Sequence, residues 1–275
     1  MPFVSMSRLN ASERPKMNLP ERVNILGVGV SVLNLDIARE TIVNALAEKQ
    51  KGYICVTEVH GVIEAQLNPK IRNIFNRSFL STPDGMPLVW LGKMAGNKQM
   101  GRVYGPDLMA EMMNFTSKSG HTHFLYGGVE GVAQDLKLKL ESRYPGIRIV
   151  GTYTPPFRPL NPEEEKQLIE QVAGARPDFF WIGISTPKQE LFMAHYLDKL
   201  DTTIMVGVGA AFDFFTGRVR QAPRWIQRSG FEWLFRVLSE PRRLWRRYFV
   251  CISLFLWNIF LQKTGLKKFP LEISK

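Results

Sequence analysis

One residue that could do acid–base chemistry in this sequence is an aspartate in a turn. Asp84 is the third residue of a Thr-Pro-Asp-Gly run at 82–85, directly after a short strand-like segment at 79–82. Ligands of parallel sheets bind at the carboxyl ends of the strands, so a carboxylate there would face the crevice and could act as a general base. An Asp before Gly is also a common turn former. Both interpretations stay open at this point.

Two further segments combine a strand, a turn and a helix start in a way that suits a phosphate-bearing ligand. The first turn contains Gly127 and Gly128, where the backbone can approach a phosphate and the helix N-terminus supplies free N–H groups. The second is followed by Lys188 and Gln189, which could contact phosphate or sugar hydroxyls. Turn formation and helix capping explain the glycines and the residues at 185–187 equally well. A nucleoside diphosphate is one obvious ligand for the Gly-rich turn.

The sequence has no pattern of metal ligands. Cys55 and Cys251 are its only cysteines, and its four histidines lack metal-ligand spacing. There is no Walker motif, no Gly-x-Ser-x-Gly run and no Asp-x-Asp run. The sequence therefore indicates neither a metal site, nor a disulfide scaffold, nor phosphoryl transfer from a nucleotide, and it favours a reduced, cytoplasmic setting.

The elements that must position these residues alternate along the chain. Short apolar segments typical of strands are separated by segments in which apolar residues recur at helical spacing. The predicted strands are 23–30, 53–59, 79–82, 123–126, 147–153, 179–184 and 203–208, and the predicted helices are 37–49, 61–67, 107–119, 132–143, 161–173 and 188–200. Strands this apolar, alternating with helices, predict an α/β fold with a mainly parallel sheet covered by helices on both faces.

The C-terminal region has a different composition. The chain carries a net charge of +11, and residues 218–247 hold nine arginines against two acidic residues. The apolar run that follows at 248–261 would be about 21 Å long as a helix, whereas a bilayer core is roughly 30 Å thick. We expect it to lie in the membrane interface, with the arginines on anionic lipid, rather than to cross the membrane.

Other interpretations of this region stay open. An ordinary core helix beside a solvated basic face would give the same composition. A nucleic-acid-binding surface has the charge and the aromatic residues it needs, but no zinc, helix-turn-helix or RNA-recognition signature accompanies them. The apolar tail could also pair two copies of the chain, which leaves a homo-oligomer open. Membrane-surface binding is preferred because it accounts for the basic and the apolar halves together, and we expect no nucleic-acid partner.

The composition divides the chain into four parts. Residues 1–20 lack the apolar core of a signal peptide and are predicted to be a mobile leader. Residues 21–216 form the predicted α/β catalytic core, and residues 217–247 an Arg-rich helical appendage. Residues 248–275 are the predicted interfacial, membrane-binding tail.

Several segments, taken in order, resemble the WecG/TagA/CpsF family of bacterial glycosyltransferases. They are Thr57 after a strand and the runs at 82–89, 102–107, 125–128, 187–190, 207–213, 232–236 and 240–243. The resemblance covers roughly residues 23–247 and implies a Rossmann-like core with a C-terminal appendage. It also implies metal-independent, inverting transfer of N-acetylmannosamine or a related sugar, in bacterial surface polysaccharide synthesis, from a UDP donor to a polyprenyl-diphosphate-linked sugar. No cofactor is implied, and the expected location is peripheral, on the cytoplasmic face of the cell membrane.

The resemblance also implies roles for individual residues. Asp84 matches the catalytic base, which would take the proton from the acceptor hydroxyl. The residues that match the substrate pocket are Thr57, Arg102 and Gln189, and those that match diphosphate-binding arginines of the appendage are Arg236, Arg243 and Arg246. Guanidinium groups placed there would stabilise the charge that develops on the leaving UDP.

One motif departs from the family pattern. Members often have Thr-Pro-Asn at the first motif, whereas here Val59 stands where the Asn would be. The donor sugar, the acceptor sugar and the final polymer therefore stay open. The alternative function is a non-enzymatic, membrane-surface adaptor that binds nucleotide or lipid, which would need the tail and the Gly-rich turns but not Asp84.

Overall fold

The structure is a computed structural model that describes residues 19–272, except for the side chains of Arg243 and Arg247. Its centre is a six-stranded sheet in which every neighbouring pair is parallel. The strands are β3 Gly52–Thr57, β4 Leu80–Pro83, β5 Thr122–Gly127, β6 Arg148–Tyr153, β7 Phe179–Gly183 and β8 Ile204–Gly207, in the order β4-β3-β8-β7-β5-β6. The last strand is therefore inserted between β3 and β7. Crevices at such reversals of strand order are the usual ligand sites of α/β folds.

Helices cover both faces of this sheet. One face carries α1 Leu35–Ala47, α5 Gly105–Thr116, α6 Val132–Arg143 and α9 Ala211–Thr216, and the other carries α2 Val59–Leu67, α3 Pro69–Arg77, α4 Met86–Met94, α7 Pro162–Ala175 and α8 Lys188–Tyr196. Tyr53 and Cys55 of β3 point to the second face, whereas Ile54 and Val56 point to the first. Because both faces are buried, the strands are almost continuously apolar. The predicted α/β fold is confirmed.

The first predicted strand, at 23–30, was wrong. It is a hairpin of β1 Arg22–Ile25 and β2 Val28–Ser31, which form a separate antiparallel pair. Leu26 and Gly27 both have positive φ, 53° and 76°, as the two central residues of a tight hairpin turn require. The side chain of Asn24 accepts a hydrogen bond from the Gly27 N–H at 2.7 Å and so closes the turn.

Two short helices on the second face had no counterpart in the sequence prediction. The first, α3, begins after Asn68, whose side chain accepts a hydrogen bond from the Lys70 N–H at 3.0 Å. The second, α4, begins after Gly85 and has Pro87 in its first turn, where a missing N–H costs nothing. Consequently Asp84 stands between the end of β4 and the start of a helix.

The Arg-rich region and the apolar tail form three helices. They are α10 Arg224–Ser229, α11 Glu232–Ser239 and α12 Pro241–Thr264. The predicted boundary at 247–248 lies inside α12, so the two segments share one helix. Residues 1–18 of the predicted leader lie outside the described residues.

The prediction that the apolar segment is too short to cross a membrane was wrong. It counted residues 248–261 alone, whereas the apolar stretch of α12 is Leu244–Thr264, with 21 residues and a mean hydropathy of 1.3. Such a helix is about 31 Å long, which is enough for a bilayer core. Length and composition therefore do not separate a crossing helix from one that lies on the surface.

One face of α12 packs on the α/β core from Cys251 onward. Cys251 and Phe255 belong to the buried core on the second face of the sheet, and the side chain of Gln262 accepts a hydrogen bond from the Leu26 N–H at 3.2 Å. The chain beyond the helix also returns to the core, since Phe269 is buried and its carbonyl accepts a hydrogen bond from Asn24. The tail is thus bound to the core through α2 and through the hairpin.

Candidate active site

The carboxyl ends of the parallel strands place the candidate residues along one edge of the sheet. Glu58 follows β3, Asp84 follows β4, Gly128 follows β5, and Gly209 follows β8. Ser185 follows β7 and begins the turn that leads into α8. This clustering is a consequence of parallel strands, whose carboxyl ends all meet at one edge.

Two cavities open at this edge. The first has a volume of about 330 Å³ and lies between α4, α11 and α12, with mostly apolar walls. The second has a volume of about 860 Å³ and lies over the ends of β5, β7 and β8, with polar and apolar walls in similar measure. Four residues line both cavities: Glu58, Asp84, Tyr104 and Arg236. Asp84 therefore stands where two compartments of different character meet.

Asp84 is held by an arginine from the loop before α5. Arg102 donates from Nη2 to the Asp84 carboxylate at 3.2 Å and from Nε to the Asp84 backbone oxygen at 2.5 Å. The Asp84 side chain is only 17% exposed. Burial raises the pKa of Asp84 to about 7; Arg102 lowers it, while the nearby carboxylates of Glu58 and Glu232 raise it. A carboxylate with a pKa near neutrality is well suited to remove a proton from a substrate hydroxyl.

The same arginine joins the core to the appendage. Arg102 Nη2 also donates to the carboxylate of Glu232 on α11 at 2.5 Å, and its guanidinium lies over the Tyr104 ring at 4.2 Å from the centroid. Glu232 was not assigned a role from the sequence. The signal that could have found it is that Glu232 is one of only two acidic residues among the arginines of 218–247.

A second set of buried polar residues lies at the end of β8. Gln189 accepts a hydrogen bond from the Gly209 N–H at 3.0 Å and donates to Glu190 at 3.0 Å. Glu190 is fully buried, which raises its pKa to about 7, and it also accepts a hydrogen bond from Thr186 at 3.1 Å. Gly207 leaves room for this side chain, because a Cβ there would be 3.0 Å from the Gln189 amide. Sequence reasoning identified Gln189 but missed Glu190, which orients it.

The chain matches a known protein family over most of its length. A family model described as glycosyl transferase, WecG/TagA/CpsF family, matches residues 23–269. The chain belongs to this family of glycosyl transferases. The family resemblance seen in the sequence is therefore confirmed, and the match extends beyond residue 247 through the whole of α12.

Two relatives illustrate the family. A protein of Bacillus subtilis (strain 168) is 26% identical over 227 residues, which cover 79% of this chain and 86% of the relative. A protein of Bacillus spizizenii is 28% identical over 201 residues, which cover 73% of this chain and 76% of the relative. Both relatives are named N-acetylglucosaminyldiphosphoundecaprenol N-acetyl-beta-D-mannosaminyltransferase.

The two glycines in the turn after β5 of this glycosyl transferase have different roles. A side chain at Gly127 would lie 2.6 Å from the Gly183 carbonyl oxygen, so this position serves the close approach of β5 to β7. Gly128 donates its N–H to the same carbonyl at 3.1 Å and lines the larger cavity. Lys188 is exposed at the start of α8 and lines the same cavity. Their contacts with substrate stay predictions.

Thr57 differs from the other predicted pocket residues of this glycosyl transferase. Its side chain is fully buried and is hydrogen-bonded to the Ser81 hydroxyl at 2.7 Å and to the Cys55 carbonyl at 3.1 Å. Its neighbours Val56 and Glu58 line the larger cavity, whereas Thr57 lines neither cavity. A direct contact of Thr57 with substrate stays a prediction.

The three arginines predicted to bind diphosphate occupy different positions in the transferase. Arg236 on α11 lines both cavities, and its buried Nε has no hydrogen-bond partner among the described residues. Arg246 is exposed on α12 and lines neither cavity. The side chain of Arg243 lies outside the described part of the chain. Of the three, Arg236 is the one that lines the same two cavities as Asp84.

Proposed function

We propose that this glycosyl transferase moves N-acetylmannosamine, or a related sugar, from a UDP donor to a polyprenyl-diphosphate-linked sugar in bacterial surface polysaccharide synthesis. The observation that carries the proposal is the position of Asp84 at the junction of a large, partly polar cavity and a narrower apolar one. The names of the two relatives support the transferred sugar and the acceptor in this proposal, because they specify an N-acetylmannosaminyl transfer to a diphosphoundecaprenol-linked sugar.

The larger cavity is the proposed donor site. Its volume of about 860 Å³ lies within the range of roughly 300–1,000 Å³ that is common for small-molecule sites. Lys188 lies on its wall at the start of α8, where the free N–H groups of a helix N-terminus favour a phosphate. Gln189 is held rigidly by Glu190 and Gly209, so it can select among sugar hydroxyls with little loss of side-chain entropy.

The proposed reaction is a single displacement. The Asp84 carboxylate takes the proton of the acceptor hydroxyl while that oxygen attacks the anomeric carbon and the bond to UDP breaks. Because the acceptor approaches from one cavity and UDP departs into the other, the new bond forms on the face opposite the old one, which inverts the anomeric configuration. We propose that Arg236, which lines both cavities, offsets the charge of the leaving diphosphate in place of a metal ion.

The proposal is tested with a panel of UDP-sugars and a prenyl-diphosphate-linked N-acetylglucosamine acceptor. We expect mass spectrometry to show an acceptor enlarged by one sugar residue with the N-acetylmannosamine donor, together with release of UDP. We expect NMR of the product to show a β-linkage when the donor is an α-linked UDP-sugar, and the reaction to continue in the presence of EDTA. Binding of the UDP-sugar with no transfer to any acceptor would instead support a non-enzymatic adaptor.

We further propose that α12 lies along the membrane surface and does not cross it. A single crossing helix is surrounded by lipid over roughly 30 Å, whereas α12 is packed on the core from Cys251 to Gln262. Its outer side exposes large apolar side chains, among them Phe249, Trp257 and Phe260, which are 70%, 59% and 51% exposed. An amphipathic helix of this kind binds in the interface plane.

Membrane attachment is expected to depend on this outer side. The double substitution Phe249→Ser and Trp257→Ser should lower the fraction that floats with anionic vesicles by about tenfold or more, because two large apolar side chains no longer enter the interface. Leu138→Ser on α6 is the control, since Leu138 is 58% exposed on another helix. An alkaline carbonate wash should release the wild type from membranes. Retention after that wash would show that α12 crosses the bilayer.

A further inference from the structure

The smaller of the two cavities has apolar walls that do not suit a sugar or a nucleotide. They are formed by apolar side chains of two facing helices: Trp90, Leu91 and Met94 of α4, and Ile252, Leu256 and Ile259 of α12. Sugar hydroxyls and phosphates lose their hydrogen bonds to water on such a surface and gain none in return. The occupant that this compartment fits is a hydrocarbon.

The charges in this cavity are confined to one end. Glu58, Asp84 and Arg236 line the end that is shared with the larger cavity, and Arg102 and Glu232 are joined to Asp84 there by hydrogen bonds. From this end the walls continue along α12 as far as Ile259. From Tyr248 to Ile259 the helix rises by about 16 Å. The compartment is therefore elongated, polar where it meets Asp84 and apolar beyond, and this is the arrangement of an amphiphile with its head at the reacting carboxylate.

The apolar side chains at the rim of the cavity are unusually exposed. Trp90, Met94 and Leu256 are 47%, 72% and 63% exposed although they line a groove. Around the axis of α12, Leu256 is about 20° from Phe249 and about 40° from Phe260, which belong to the outer side proposed above to bind the membrane. The groove consequently opens toward the same side as the membrane-binding face, so a chain anchored in a bilayer could enter it sideways.

We propose that the groove between α4 and α12 binds the first isoprene units of the lipid acceptor and thereby aims its terminal sugar hydroxyl at Asp84. The inference rests on the proposed function, because it takes the acceptor to be a prenyl diphosphate. The diphosphate would then lie between the groove and the larger cavity, within reach of Arg236, and the sugar beside Asp84. Affinity for the acceptor would come mostly from the hydrocarbon, and the polar residues would set its position.

The inference is tested by acceptor chain length, in detergent solution without membranes. Acceptors with a long prenyl chain and with an alkyl chain shorter than one isoprene unit, which cannot extend into the groove, are compared. The comparison is made in the wild type, in Met94→Asp and in Ile252→Trp, and these substitutions respectively charge and fill the groove. We expect both substitutions to raise KM for the long-chain acceptor by about tenfold and to leave KM for the short-chain acceptor and for the UDP donor unchanged. Leu254→Trp is the matched control, because Leu254 is about 200° from Leu256 around α12 and does not line the groove.

Equal effects on both acceptors, or no effect on the long-chain one, would overturn the inference. A wild type that turns over neither acceptor would instead count against the proposed function, and a second measurement then tests the groove by itself. A photoreactive prenyl phosphate is expected to label α4 at 90–94 and α12 at 252–259, and Ile252→Trp should suppress the labelling. Labelling on the outer side alone, or labelling that Ile252→Trp does not change, would refute the assignment.

Discussion

Replacing Asp84 by Asn is expected to lower kcat for sugar transfer by about 10²- to 10⁴-fold, the usual contribution of a general base. Asn has nearly the same shape and can still accept a hydrogen bond from Arg102, so the pocket should keep its form. It cannot take up the proton of the acceptor hydroxyl. The measurement is steady-state turnover of a UDP-sugar and a prenyl-diphosphate-linked acceptor, with thermal unfolding of each variant to verify the fold.

The pH profile of the wild type should report the same group. Burial raises the pKa of Asp84 to about 7, so the carboxylate form that acts as a base is lost as the pH falls through that value. We expect kcat/KM to fall about tenfold for each pH unit below 7 and to level off above it. This acid limb should be absent from the residual activity of Asp84→Asn.

Asp107→Asn is the matched control for this prediction. Asp107 is also an aspartate paired with an arginine, since its carboxylate accepts from Arg224 at 2.7 Å, but it does not line either cavity. Its substitution should change kcat by less than about threefold, as expected for a partly exposed ion pair. Full activity of Asp84→Asn, or an equal loss in Asp107→Asn, would remove Asp84 from the role of base.

Replacing Arg236 by Ala is expected to lower kcat by about 10²- to 10³-fold, the usual cost of losing one donor to a developing anion. Arg236 lines both cavities, as Asp84 does, and its Nε has no hydrogen-bond partner among the described residues, so the group is available to a substrate diphosphate. Arg236→Lys keeps the charge but loses the planar guanidinium with its parallel N–H donors. Its kcat should therefore lie between those of Arg236→Ala and the wild type.

Arg246→Ala tests which arginines bind the diphosphate. The family resemblance includes Arg246 among them, whereas its position in the structure does not. Arg246 is exposed on α12 and lines neither cavity, so its loss should cost less than about threefold. Measuring kcat and the donor KM separately distinguishes stabilisation of the leaving group from simple binding. Equal losses in Arg236→Ala and Arg246→Ala would mean that α12 approaches the diphosphate during turnover and would contradict the placement described above.

The local sequence predicts the parallel sheet and several residues at its ligand edge, because these features depend on residues that are close together in the chain. Apolar strands alternating with amphipathic helices predict a parallel sheet, and a parallel sheet brings the turns after its strands to one edge. Asp84, Gly128 and Gln189 are therefore predictable as residues of the ligand edge from the local sequence alone. The prediction was wrong at 23–30, where the same apolar composition forms a hairpin, because the positive φ values of Leu26 and Gly27 reverse the chain.

The contacts between distant segments are determined only by the tertiary structure. Arg102 connects Asp84 to Glu232, a partner 130 residues away whose position depends on how α11 packs on the core. The inward orientation of Thr57 likewise depends on Ser81 of the neighbouring strand. The length of α12 and the face it buries could not be inferred from apolarity alone, because a core helix, an interfacial helix and a spanning helix are all apolar. The junction of two cavities at Asp84 arises only when α4, α11 and α12 assemble around the sheet edge, since no local pattern encodes the empty space between helices.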